Sequence, residues 1–199
     1  MSTQKKFLLA TSVMILVLII ITEIVTISRE KTRLNEEIHL EADQQLNQVI
    51  RVLNVTDGLM QSQIGASMSV LIDQIKRASD SDMTQGRTVL VGDRRVPDLL
   101  FRGVGQAKNY EMVDELTYLM GGTATLFSRQ GDDFVRIATN VEKDNGERAV
   151  GTILNPQGKA YESITQGYAF YGVVDILGKP YFTGYEPLKN RFGDVIGIA

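Results

Sequence analysis

The sequence predicts an α+β fold: a long amino-terminal helix followed by a five-stranded antiparallel sheet. Three observations predict it. The stretch from Arg29 to Ala78 contains no proline and only two glycines, Gly58 and Gly65. Its apolar residues recur at steps of three and four, the period of one helix face. Past Gly122 the chain changes to short runs rich in β-branched and aromatic residues, with connections short enough for neighbouring antiparallel strands.

The chain begins with an apolar run. After Lys5 and Lys6, residues 7–27 carry one charge, Glu23. At ~1.5 Å per residue, 21 residues reach about 30 Å, the hydrocarbon thickness of a bilayer. A cleaved signal peptide is the competing reading, but no small-x-small cleavage site follows. We therefore expect an uncleaved transmembrane helix over 7–27 and a cytoplasmic tail over 1–6, oriented by Lys5 and Lys6 against the opposing Arg29, Lys31 and Arg33. Glu23 is expected at the interface.

Leu34, Ile38, Ala42, Leu46, Val49, Leu53, Met60, Ile64, Met68, Leu71 and Ile75 form the stripe of the long helix, about 28–78. Unbroken, it would extend roughly 75 Å. Its first half is expected to pack on a partner helix, predicting a homodimer, and its second half on the chain's own sheet. Gly58 and Gly65 are expected to mark a bend or a close approach.

Turn formers in "ASDSDMTQGRT" end the helix, and "VLVGDRRVPDLLFRGVGQAK" reads as strand fragments and loop. A short helix is expected from Asn109 as N-cap, with Met112, Val113, Leu116 and Leu119 inward and Gly121 and Gly122 as its stop. Strands follow over 123–127 and 134–140. Asn155 and Pro156 open another short helix that Gly167 closes. Further strands are expected over 168–177, 180–188 and 195–199.

Composition removes several function classes. The chain has 199 residues, 43% hydrophobic and 23% charged, with formal charge −3. Without cysteine there are no disulfides, thiol nucleophiles or thiolate metal sites. His39, the only histidine, lies in the long helix, so a histidine triad or metal cluster is not expected. No basic patch with interleaved aromatics supports nucleic-acid binding. No metal, cofactor or catalytic residue is expected, although a carboxylate-only hydrolase stays open.

The order of anchor, long helix, "VPDLLFRG", "VDELTYLMGGTATLF", "FVRIATNV", "GERAVGT" and "YGVVDILGKPYFTGYEPLKNRFGDVIG" resembles the single-Cache ligand-binding domains of bacterial chemoreceptors, of the type described as a fusion of Cache 3 and Cache 2. The resemblance implies a periplasmic sensor domain over 28–199, with a PAS-like part over about 86–199 and a truncated final strand. It implies an inner-membrane methyl-accepting chemotaxis protein that spans once in this chain. A histidine kinase or cyclase sensor with a non-carboxylate ligand is the alternative, and a pilin-like subunit a distant one.

Within that frame Arg136 stands out. Alternation puts Phe134, Arg136 and Ala138 on one face of their strand and Val135, Ile137 and Thr139 on the other. If the second face meets the long helix, the first faces a pocket, where a guanidinium fork matches a carboxylate ligand such as acetate. Exposure to solvent, or pairing with Asp175 or Glu186, is the plainer reading, and both stay open. Tyr181 and Tyr185 match recurrent positions of the family pattern. With Tyr171 and Asp175 they are candidate pocket residues, Arg148 is a candidate second anchor, and "DRRVPDLLF" is the expected covering loop with Leu99 and Phe101 as its plugs.

Overall fold

The computed structural model describes residues 3–80 and 82–199, and side chains from residue 14 onward except 32, 34–39 and 81. The chain divides into two units, Met1–Thr56 and Asp57–Ala199. Helix α1 (Thr3–Ser79) begins in the first and ends in the second.

In the first unit the described apolar residues from Met14 to Ile27 are exposed, as are Leu46, Val49 and Leu53. Residues 7–13 of the expected membrane run, and Leu34 and Ile38 of the stripe, have side chains outside the described residues. Among the described residues no helix is long and apolar enough to cross a membrane.

In the second unit the stripe behaves as the period demands. Met68, Leu71 and Ile75 are buried, while Met60 stays exposed. Gly58 and Gly65 do not mark close approaches, because a Cβ at either position meets nothing within 4 Å and α1 runs through both.

Strands β1 (Met83–Val91) and β2 (Arg94–Phe101) form an antiparallel hairpin around Gly92, which takes a positive φ of 58°. A short β3 (Val104–Gly105) completes a three-stranded sheet. The expected covering loop is thus a strand. Val96, Leu99 and Phe101 enter the core with Leu71 and Ile75 instead of capping a pocket. Pro97, which reads as a breaker, is accommodated beside the register shift between Gln85 and Thr88, where a missing N–H is tolerated.

Helix α2 (Glu111–Met120) starts two residues past Asn109, whose Oδ1 accepts the Glu111 N–H at 3.3 Å. Val113 and Leu116 are buried, but Leu119 is exposed. Gly121 closes the helix at φ 74°, donating its N–H to the Thr117 carbonyl.

Strand β4 (Thr125–Gln130) pairs with β5 (Asp133–Thr139). Helix α3 (Lys159–Thr165) begins later than the Asn155–Pro156 signal, because Asn155 Oδ1 instead closes a turn on the Gln157 N–H. Then come β6 (Phe170–Ile176), β7 (Lys179–Tyr185), β8 (Pro187–Lys189) and β9 (Val195–Ile198).

These strands do not form one five-stranded sheet. The expected strand 180–188 divides at Glu186, whose backbone exchanges two hydrogen bonds with Ala199. Before that point it pairs only with β6. Beyond it, β8 joins β9 in a four-stranded sheet of order β5-β4-β9-β8. Two buried clusters flank that sheet, one built on Met68, Leu71, Ile75, Leu99 and Leu126, the other on Phe127, Phe134, Ile164 and Ile198.

Candidate functional site

Arg136 lies in the middle of β5 and is only 4% exposed. A register shift between Leu126 and Phe127 sets Leu126 opposite Ala138 and Phe127 opposite Arg136, leaving Ile137 as the extra residue. Such a bulge re-aims the side chains around it. Strict alternation therefore fails here, and Phe134 and Ala138 enter different clusters. The backbone of Arg136 is held by the segment ahead of α3: its N–H donates to the Thr152 carbonyl and its carbonyl accepts from Gly151, both at 2.8 Å.

Among the described residues the guanidinium has one hydrogen bond, Nη1 to Thr152 Oγ1 at 2.7 Å. Its Cζ sits 5.0 Å from the centre of the Phe127 ring, within cation–π range. Nε is buried without a partner among the described residues. Among the described ion pairs none involves Arg136. Burial disfavours the charged form and lowers its pKa, and Tyr185 partly restores it. The Tyr185 phenol is pushed up by burial and pulled back by Arg136. A charged donor removed from water without a counter-charge is costly unless an acceptor reaches it.

Arg136 faces a cavity of about 310 Å³. Tyr181 and Tyr185 of β7 line it, and Thr183 between them shares their strand face. Ile64, Met68 and Leu71 of α1 line it too. Helix and pocket do not take opposite faces of the sheet as the alternation implied; the helix is a wall of the cavity. Arg136 is the one charged side chain among the lining residues.

The other candidates lie elsewhere. Arg148 grips Asp114 with both terminal nitrogens, at 2.7 and 2.9 Å, donates to the Thr139 carbonyl and stacks on the Tyr110 ring at 4.3 Å. It fastens the loop after β5 to α2 and is not a second anchor in the cavity. Its pKa is raised, chiefly by the bond to Asp114. Tyr171 donates to Glu186 Oε1 at 2.9 Å, and Asp175 accepts the Gly178 N–H in the β6–β7 turn. Neither lines the cavity, and neither Asp175 nor Glu186 pairs with Arg136. Phe101 is core and borders a separate groove of about 680 Å³ with Gln74, Met112 and Glu115.

Sequence reasoning did not anticipate Gln63, Ser67, Met120 or Thr125 as cavity residues. Gln63 and Ser67 are polar residues beside the apolar stripe of α1, a signal that could have marked that stretch as more than packing. Thr152, the one hydrogen-bond partner of the guanidinium, carried no such mark.

In comparison with known families, residues 28–199 match the model of the Cache 3/Cache 2 fusion domain. None of the curated proteins compared with the chain matches it.

Proposed function

The chain belongs to the Cache 3/Cache 2 fusion domain family, as an extracytoplasmic sensor domain of the kind that binds small molecules, and from that premise we propose that its ligand is an organic anion held by Arg136. The observation that carries this reading is the guanidinium itself: buried, bonded once, without an acid partner, and lining the cavity. A carboxylate supplies the counter-charge in two parallel charge-assisted bonds, each contributing about 1.5–3 kcal/mol. Tyr181 and Tyr185 supply further polar contacts and wall area. The role we assign to this site is binding.

Met60, Gln63, Ile64, Ser67, Met68 and Leu71 of α1 line the cavity, so a bound anion touches the helix that leads toward the amino terminus. We assign the signal to a shift of that helix of order 1 Å, which requires unequal ligand affinity in two receptor states. Exposed Leu46, Val49 and Leu53 fit a seam between two copies, and we assign a homodimer to it. Residues 7–27 anchor the domain in the inner membrane, with the sensor in the periplasm of a methyl-accepting chemotaxis receptor.

The test is calorimetric titration of organic acids into the purified chain and its Arg136→Met variant. The reading expects saturable binding of at least one acid that the variant loses. Unchanged binding by the variant, or no binding among the acids, refutes it.

A further inference from the structure

The cavity restricts the ligand further, by charge and by size. Around it Met60, Ile64, Met68, Leu116, Met120 and Phe182 present apolar surface, and the remaining side-chain polarity is neutral apart from Arg136. One cation neutralises one carboxylate. A second carboxylate on the same ligand, or the ammonium of an amino acid, would enter with no opposite charge among the lining side chains, and a buried unpaired charge is strongly disfavoured.

Size argues the same way. Acetate, with four non-hydrogen atoms at roughly 30 Å³ each, fills about 120 Å³, whereas the cavity holds about 310 Å³. The rest is bordered mainly by thioether, aliphatic and aromatic side chains, which gain from an apolar occupant and not from bulk-like water. Methionine walls adapt to irregular shapes, so they set the polarity of the occupant more tightly than its outline.

Resting on the anion reading, we infer that the ligand is a monocarboxylate with an apolar body of about five to eight carbons, its carboxylate on Arg136 and its body along α1 and α2. Amino acids and dicarboxylates are excluded by charge, and acetate is a weak ligand because it leaves most of the apolar wall uncovered. Each fully buried methylene strengthens binding about fourfold, so hexanoate exceeds acetate more than tenfold even with half of its four extra methylenes buried.

Five matched probes test this on the purified chain by calorimetric titration, with Arg136→Met alongside: hexanoate, acetate, 2-aminohexanoate, hexanedioate and hexanamide. The expected result is that hexanoate binds tightest, with acetate at least tenfold weaker, 2-aminohexanoate and hexanedioate at least about a hundredfold weaker, and all binding lost in the variant. Acetate within tenfold of hexanoate, or 2-aminohexanoate or hexanedioate within tenfold, overturns the inference. If that binding still requires Arg136, the anion reading stands. Hexanamide binding as well as hexanoate overturns the anion reading itself, and no binding by any probe overturns both.

Discussion

Replacing Arg136 with methionine separates a guanidinium kept for a ligand from one that holds the fold. The substitution keeps an unbranched side chain and removes the charge. Lost with it are the bond to Thr152, about 1.5–3 kcal/mol for a charged donor, and the contact with Phe127, about 0.5–2 kcal/mol. Thr152 is not stranded, since its hydroxyl still donates to the Ala149 carbonyl at 2.8 Å. Removed as well is the penalty of a buried charge, several kcal/mol per ion, to which the unbonded Nε adds about 1–3 kcal/mol. The losses total about 2–5 kcal/mol against a removed penalty of several kcal/mol, so the variant is expected to be at least as stable as the wild type, and each kcal/mol shifts the melting temperature by about 2–4 °C in a protein of this size. The assay is thermal denaturation by circular dichroism, with and without hexanoate. At ~100-fold its dissociation constant the acid adds about 2.7 kcal/mol to the wild type and nothing to the variant. A variant destabilised by more than about 2 kcal/mol would make Arg136 a structural pivot, refuting the reasoning.

Arg148→Met breaks the Asp114 pair on a partly exposed surface and should cost about 1 kcal/mol in urea denaturation while leaving hexanoate affinity unchanged. Gly197→Ala drives a Cβ to 2.5 Å from the Phe127 carbonyl oxygen and 2.8 Å from Leu99, and should cost about 1–3 kcal/mol or prevent folding, read from the same curves. The Tyr171 phenol is pushed up to about 12, first by burial and then by its bond to Glu186. A folded-state pKa above the unfolded value near 10 gives stability that is complete below pH ~10 and is lost as pH rises toward about 12. Discounted for the exposure of Tyr171, the loss is about 1 kcal/mol, and the urea midpoint of Tyr171→Phe should lack that part of the alkaline decline. Leu46→Glu combined with Leu53→Glu should convert a dimer to a monomer in sedimentation velocity; an unchanged dimer places the interface elsewhere.

Much of this architecture is legible in the chain, for identifiable reasons. The period of 3.6 alone places Met68, Leu71 and Ile75 on the buried side of α1. An arginine inside "FVRIAT" is conspicuous because the residues around it are apolar, and alternation alone put Tyr181 and Tyr185 on one face of β7. What escaped depends on long-range geometry. The bulge opposite Phe127 is one residue of register, invisible in a pattern of period two. The hairpin β1–β2 was obscured by Gly86, Gly92 and Pro97, which read as breakers until the register shift accommodates the proline. Arg148 looked as available as Arg136. Only folding brings Asp114, 34 positions away, into its grasp. The division of 180–188 at Glu186 likewise rests on hydrogen bonds to Ala199, which local propensity does not encode.

Whether the guanidinium of Arg136 awaits an anion is read from nuclear magnetic resonance of the arginine side-chain N–H groups during titration with hexanoate, with the Arg136 resonance assigned by its loss in Arg136→Met. This resonance should move saturably with the acid while that of Arg148, already locked to Asp114, stays in place. Saturable binding of hexanoate with the Arg136 resonance unmoved would contradict it.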